Sequence, residues 1–393
     1  MADETAPSGS SGPHGPLHGL LVADFSRILA GPYATMLLAD MGAEVIKVES
    51  PKGDDTRTWL PPVRDEVSTY YLAINRNKRS LALDLKDETD AALARELAAR
   101  ADVVIENFKP GGLAQFGLDY ASVRDGNPGV IYASISGFGS RADAALPGYD
   151  LMVQAISGLM SLTGDPDGPP YRAGISVFDV MTGLHAAIGI LAALHHRDST
   201  GAGQQLEVNL LSSALSGLVN HSSAYVAGGE TPHRMGNAHP SLFPYEPLPV
   251  ADGELIVIAG NDGQFARLCT VLGLPELPED PRFAHNQDRT ANREVLRPLL
   301  VERLMTRTKK DLFHALLAVG VPCAPINTIA EGVAFAEDAG LDPVVVVGEG
   351  DAAVPSVRHP ISFSVTPPRY ELPPPGLDEH GSHLRAWLSA PRH

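Results

Sequence analysis

From Leu17 onward, short apolar runs alternate with stretches of helical periodicity. LLVADF (20–25) has the length and apolar content of a buried strand, Pro32–Met41 carries helical spacing, and EVIKVE (44–49) reads as a second strand. The pattern continues with SLALDL (80–85), a helix from Asp87 to Arg100 with acids in its first turn, DVVIEN (102–107) and GVIYASI (129–135). Strands separated by helices predict an α/β fold: a Rossmann-like large domain with a mostly parallel sheet.

Two longer helical patterns follow, Asp179–Arg197 and Leu210–Gly228, separated by the turn TGAGQ (200–204) and the strand QLEVNL (205–210). The first, VMTGLHAAIGILAAL, is apolar nearly all round and so belongs in a core or an interface. Past Gly228 the chain becomes dense in Gly and Pro, as a connector does, before ELIVIAG (254–260) and helices at Gly263–Leu272, Asn292–Met305 and Lys309–Val319 predict a smaller α/β domain. VVVV (344–347) and a last helix around His383–Leu388 lack a core of their own and are expected to return to the first domain. The expected division is a disordered tail over 1–16, a large domain over 17–225, a linker over 226–244, a small domain over 245–325, and a linker with C-terminal return over 326–393.

Composition narrows the function classes. The 393 residues, 44% hydrophobic, exceed one domain of roughly 150 residues and suffice for a large core. A net charge of −17 argues against nucleic acid as a partner. Cys269 and Cys323 provide neither a disulfide framework nor C-x-x-C zinc spacing, which points to a reducing, cytoplasmic setting with no metal. The opening MADETAPSGSSGPHGP lacks the basic and apolar regions of a signal peptide. The apolar run Ala186–Leu194 is shorter than the ~20 residues of a membrane span, so no membrane partner is expected.

Several mechanisms lose support by absence of their motifs. The first strand leads into SRILAGPYA instead of G-x-G-x-x-G, and no phosphate loop, H-E-x-x-H pair or G-x-S-x-G elbow occurs. What remains is an ordered series: Ala30-Gly31-Pro32, LADMGAEVIKVE (38–49), Gly53-Asp54-Asp55-x-Arg57, NRNKRS (75–80), ENFKPG (106–111), Pro170-x-Arg172-x-Gly174-x-x-x-x-Asp179 and Thr200-Gly201-x-Gly203-Gln204. From about Leu17 to Leu388 this series resembles the class III coenzyme A transferases, a family that includes formyl-CoA transferase, carnitine CoA-transferase and α-methylacyl-CoA racemase.

The resemblance implies acyl-CoA and a carboxylic acid as substrates, no prosthetic group, and two chains threaded through each other as an interlocked homodimer. It makes Asp179 the nucleophile; on local grounds alone, an Asp opening an apolar helix is an N-cap, and the two roles are compatible. A helix N-terminus would also favour its ionised form. CoA contacts are implied for Arg27, Ile28, Ala30, Arg57, Lys78, Arg79, Asn107 and Phe108. Charge distribution agrees, since 12 basic residues nearly balance 14 acidic ones between Arg27 and Lys109. The ordinary alternative for each cation is a solvated surface charge.

The chain also departs from formyl-CoA transferase. Ser136 stands where that enzyme has lysine, and Gln115 where it has arginine; Arg141 is the candidate that compensates. The segment 234–245 and Ala259-Gly260-Asn261-Asp262-x-Gln264-Phe265 look like the branch that uses succinyl-CoA with dicarboxylates such as glutarate or hydroxymethylglutarate. Arg234, Asn237 and His239 are then candidates for the second carboxylate, with a rigid Gly/Pro connector as the alternative. Tyr149 is either an acyl-pocket residue or a packed core phenol. Gly148-Tyr149-Asp150 stands where the racemase branch has G-H-D, and a phenol is a poor base at neutral pH, which disfavours racemisation. A CoA-binding protein without turnover would be expected to lack Asp179.

Overall fold

The structure, a computed structural model, describes residues 15–140 and 146–392. The chain divides into two compact units. Unit 1 comprises residues up to Ser157, Ala173–Ala227 and Asp342 onward; unit 2 comprises Gly158–Arg172 and Gly228–Leu341.

In unit 1 the order is β1 (Leu21–Asp24), α1 (Ala30–Asp40), β2 (Glu44–Glu49), α2 (Thr69–Ile74), β3 (Lys78–Ala82), α3 (Glu88–Arg100), β4 (Val103–Glu106), α4 (Tyr120–Gly126), β5 (Ile131–Ser136), α5 (Asp150–Ile156), α6 (Val177–Thr200), β6 (Gln204–Asn209), α7 (Leu210–Gly217) and α8 (Val219–Val226). The six strands form one sheet in the order β3-β2-β1-β4-β5-β6, every neighbouring pair parallel. This is the order of the doubly wound nucleotide-binding sheets. Its direction of growth reverses between β1 and β4, and the crevice outside the carboxyl ends of those two strands is where such sheets take ligands. The strands are short and apolar because both faces are covered: Ala23, Ile46, Leu81, Val104 and Tyr132 lie in one buried cluster with Ala94, Leu97 and Ala98 of α3.

The single helix expected over Leu210–Gly228 is two, α7 and α8, broken at Val219, whose φ of 38° lies outside the helical region. α6 is 24 residues long and apolar enough to cross a membrane by length and composition, which the expectation drawn from Ala186–Leu194 alone did not register. It buries Ala186, Ala187, Ile190, Ala193 and Leu194 in unit 1. Gly183 permits its approach to α1, since a Cβ there would stand 2.6 Å from the Ala30 carbonyl oxygen.

Unit 2 has an antiparallel sheet of β7 (Tyr245–Val250), β8 (Gly253–Ile258) and β9 (Cys323–Pro325), with β8 central. α9 (Asp262–Leu272), α10 (Arg293–Leu304) and α11 (Lys309–Ala318) pack on it through Phe265, Leu300 and Leu316, among others. The segment 158–172, lying within the large-domain range by sequence, falls in this unit: Arg234 donates to the carbonyls of Asp165 and Gly168. The chain then returns to unit 1, where α12 (Gly381–Ser389) adds Leu384 and Leu388 to the sheet's core.

Under the carboxyl edge of β1 and β2 lies a buried charge lattice. Lys47 donates to Asp54 at 2.8 Å and to the Ser26 carbonyl at 3.1 Å; Lys78 donates to Asp24 at 3.2 Å, to Asn75 Oδ1 at 3.1 Å and to the Pro32 carbonyl at 2.9 Å. Arg57 grips Glu49 through Nε and Nη2 at 2.8 and 2.7 Å, with its guanidinium over the Tyr71 ring. Burial pushes the carboxyls of Asp24, Glu49 and Asp54 up, but the neighbouring cations and hydroxyl donors outweigh it and hold all three below the ordinary range. Removing one cation strands a buried carboxylate. Lys47→Met and Lys78→Met should therefore each lower the unfolding free energy by about 3–5 kcal/mol, measured by urea denaturation; a loss below 1 kcal/mol would contradict the lattice.

Candidate active site

The turn from β1 into α1 is the first component of the site. Asp24 accepts from the backbone N–H of Ser26 at 2.9 Å, from the Ser26 hydroxyl and from Thr35 Oγ1 at 2.6 Å, which ties the strand end to the helix. Gly31 is required here, because a Cβ would fall 2.2 Å from Ser26 Oγ. Ile28 sits at φ 70°, a left-handed conformation that β-branched residues rarely adopt, with its N–H aimed at the Asp54 carboxylate, 3.2 Å from the nearer oxygen. Such strain is characteristic of functional sites.

Across the switch point, at the end of β4, the Asn107 side chain brackets the same turn. Its Oδ1 accepts from the Arg27 N–H at 2.9 Å and its Nδ2 donates to the Arg27 carbonyl at 2.7 Å. The guanidinium of Arg27, 51% of its side chain exposed, lies 5.9 Å from the Phe108 ring centroid. A half-exposed cation, itself 3.4 Å from an Asp55 oxygen, and an aromatic face thus stand together beside this turn, an arrangement that suits a phosphate and a flat base.

The N-terminal turn of α6 is the second component. The helix begins at Val177, so Asp179 occupies its third position and does not cap it, contrary to the local expectation. The capping carboxylate comes from α5: Asp150 Oδ1 accepts from the N–H groups of Phe178 at 2.7 Å and Asp179 at 3.1 Å. Burial, reinforced by the charge of Asp150, pushes the Asp179 carboxyl up to about 7. The expectation that the helix terminus keeps Asp179 ionised is corrected accordingly.

Tyr70 of α2 joins the components, its phenol hydrogen-bonded to Ser176 and close enough to feel the charge of Asp179. Tyr70 also meets Trp59 edge-on at 5.1 Å and walls a cavity of about 670 Å³ with Trp59, Leu60, Pro61 and Pro62. Tyr70 thus faces this cavity and, through Ser176, the half-buried Asp179. Among the described residues no group of three or more His, Cys, Asp or Glu side chains is placed to hold a metal ion.

Comparison with known proteins now decides the class. The sequence profile of CoA-transferase family III matches residues 17–381. The chain belongs to CoA-transferase family III. It is 46% identical to succinate–glutarate CoA-transferase of Agrobacterium fabrum, over 95% of this chain and 96% of that one. It is 39% identical to acetyl-CoA:oxalate CoA-transferase of Acetobacter aceti, over 96% and 97%. Among solved structures, a CAIB/BAIF family protein from Brucella suis superposes with a TM-score of 0.85 at 45% identity, covering 96% of this chain and all of that one.

Against this family, the sequence candidates divide by what their side chains already hold. Arg27, Ile28, Ala30, Asn107 and Phe108 cluster at the β1 and β4 ends, with Ala30 itself buried as the first residue of α1. Lys78 departs from its expected role as a phosphate cation: the ammonium is fully buried, protein acceptors take all three of its donors, and burial outweighs Asp24 to bring its pKa down to about 8. Arg57 is engaged by Glu49, and Arg79 by Glu44 at 2.7 Å. Arg141 lies outside the described residues. Gln115 is exposed and bonds the Gly112 carbonyl, and Ser136 Oγ accepts from Gly139 N–H.

Tyr149 is 59% exposed, which removes the packed-core alternative. Arg234, Asn237 and His239 belong to unit 2. There Arg234 is bonded to two carbonyls, His239 Nδ1 accepts from Ser241 N–H, and Asn237 is exposed. Sequence reading missed Asp150, Gln154, Tyr70 and Ser176. Asp150 was visible only as the neighbour of Tyr149, because its partners lie 28 and 29 residues away.

If the ionised carboxylate of Asp179 is the reacting form, kcat/KM for an acyl-CoA rises with pH through a midpoint near 7 and levels off above it, since this parameter reports the free enzyme. A pH profile flat from 5 to 9 would contradict the raised proton affinity.

Proposed function

We propose that this enzyme moves coenzyme A from succinyl-CoA to a short dicarboxylate such as glutarate or hydroxymethylglutarate, with Asp179 as the nucleophile. The observation that carries the mechanism is the half-buried Asp179 carboxyl in the first turn of α6, its proton affinity raised, with Tyr70 between it and the cavity that Tyr70 and Trp59 wall. The dicarboxylate assignment is supported by the name of the Agrobacterium relative at 46% identity, against 39% for the oxalate-using one.

An Asp179 oxygen attacks the thioester carbonyl; the C–O bond forms, the C–S bond breaks, and CoA thiolate departs with the electron pair. The thiolate then attacks the Asp179 carbonyl carbon of the mixed anhydride, forming the aspartyl-CoA thioester and releasing the donor's carboxylate. The acceptor carboxylate repeats the two exchanges in reverse and regenerates Asp179. One carboxylate and one thiolate exchange places throughout, so the cycle closes without redox chemistry.

CoA binding is supported at the switch point, where Arg27 and Phe108 offer a cation and a ring, with Asn107 fixing the turn and Ile28 and Ala30 shaping it. Arg57 adds positive charge at the same edge while bonded to Glu49, whereas Arg79, bonded to Glu44 at the amino end of β2, lies away from that edge. The exposed Tyr149 contacts the acyl group in this reading. The two cysteines are buried and unpaired, which supports a reducing, cytoplasmic compartment.

Asp179→Ala should abolish transfer from succinyl-CoA while preserving CoA affinity, since the nucleotide end supplies the binding energy. An acceptor screen by mass spectrometry of the thioester products should yield glutaryl-CoA. Products from monocarboxylates or oxalate alone would refute the dicarboxylate assignment, and activity retained in Asp179→Ala would refute the nucleophile.

The active form is an interlocked homodimer in this proposal. Supporting it, one chain leaves Leu184 and Ile188 of α6, Leu215 of α7, and Val219 and Val226 of α8 exposed, Ile188 by 63%. Monomers rarely present so much apolar helix surface to water. Light scattering at micromolar concentration should give twice the chain mass of 41.6 kDa; a monomer would overturn the assembly.

A further inference from the structure

Asp150 has no part in the bond exchanges above, yet it is a buried acid placed against the nucleophile. Its Oδ1 closes the first turn of α6 through two backbone N–H groups, while Oδ2 accepts from Gln154 Nε2 at 2.5 Å. Gln154, fully buried, holds the strand of chain leading to Asp179 at two further points: Nε2 donates to the Ile175 carbonyl at 3.1 Å and Oε1 accepts from Ala173 N–H at 2.8 Å. Together the pair fixes the run from Ala173 to Asp179, which has no secondary structure of its own before Val177.

We propose that Asp150 is a positioning residue that, with Gln154, holds Asp179 in its attacking place and uses its negative charge to favour the acylated, uncharged form of Asp179 over the free carboxylate. The proposal rests on Asp179 being the nucleophile. In the resting enzyme two carboxylates share one poorly solvated corner, with Asp150 offset by the N-terminus of α6 and Asp179 not. Forming the anhydride or the thioester removes the charge on Asp179 and transfers it to a departing thiolate or carboxylate. The repulsion is relieved at that moment.

The other groups facing this turn do not cancel the effect. Tyr70 from α2 bonds to Ser176, and Tyr33 from α1 lies beside Gly183; both are phenols whose pKa burial raises, so they stay neutral. The charge acting on Asp179 is that of Asp150.

Asp150→Asn removes the charge while its amide oxygen still accepts from the two backbone N–H groups, at the loss of the Gln154 Nε2 contact, which the new NH2 cannot accept. Two readouts apply: the pH dependence of kcat/KM, and the fraction of enzyme carrying CoA as a covalent adduct when succinyl-CoA is supplied without acceptor, read by intact-protein mass spectrometry. The midpoint of the acid limb should fall by about 1 pH unit or more, and the adduct fraction at equilibrium should drop several-fold. Asp150→Glu, which keeps the charge, should retain the wild-type midpoint even if its longer arm lowers kcat. A wild-type midpoint and adduct fraction in Asp150→Asn would overturn the proposal. Should that variant fail to fold, a midpoint lowered in Asp150→Glu would overturn it equally. Asp179→Ala run alongside isolates the underlying mechanism: if it still forms the adduct, the nucleophile assignment fails, whereas an inert Asp179→Ala with an unaltered Asp150→Asn condemns only the role given to Asp150.

Discussion

The site depends on six charges buried beneath the carboxyl edge of the sheet. Asp24, Glu49 and Asp54 are balanced by Lys47, Lys78 and Arg57, and all but Arg57 are almost wholly removed from solvent. An unpaired charge in such a place costs several kcal/mol, so the members are acceptable only as a set. What the set fixes is geometry. Lys47 holds the Ser26 carbonyl, Asp54 receives the Ile28 N–H, and Lys78 reaches the Pro32 carbonyl, so three of its members grip a single turn at positions 26, 28 and 32. Lys78 and Arg57, which a sequence comparison would aim at phosphate, are therefore internal struts engaged by protein acceptors.

A second electrostatic arrangement governs the reacting end, with the opposite sign of outcome. At the β1 turn, acids are surrounded by cations and sit below their ordinary pKa; at α6, Asp179 has burial and another acid for company and is pushed up to about 7. A helix terminus stabilises a carboxylate by a modest amount, typically 0.3–1 kcal/mol at exposed sites. Here Asp150 takes the two N–H groups through which that help is delivered. Asp179 is left with its proton held more tightly than in an ordinary carboxyl. A carboxylate of raised proton affinity is the more basic and the better nucleophile once ionised.

Much of the sheet was legible in the sequence because its strands are buried on both faces and read as unbroken apolar runs. EVIKVE matches β2 in both bounds, and the other strands of unit 1 agree with the runs to within a few residues. β3 begins at Lys78, two residues before the apolar run, because a charged residue at a strand's start carries no hydrophobic signal even when it is fully buried. The short helices α4 and α5 were not separated from loop, having too few turns for a periodicity to emerge. Asp179 was legible through motif spacing. Its partners were not, since Asp150, Gln154 and Tyr70 are brought to it by crossovers, and no local pattern encodes a hydrogen bond across 29 residues or a phenol arriving from another helix.

Ile28 extends the lattice into the turn after β1. A β-branched residue held at positive φ costs of order 1–3 kcal/mol, a strain that glycine at the same position would relieve. Arg27 before it and Leu29 after it are anchored independently, by Asn107 on one side and by the start of α1 on the other. The turn could accordingly keep its path with glycine, and the strain is not needed to make the backbone bend. What glycine would forfeit is the side chain. The isobutyl-sized group stands at the switch point between the Arg27–Phe108 pair and the first turn of α1, where an apolar surface beside a cation suits a coenzyme that joins phosphates to a long uncharged arm. The strain is tolerated because the Asp54 carboxylate, fixed by Lys47, receives the Ile28 N–H, and so the stability of the buried charges is converted into the shape of the binding edge.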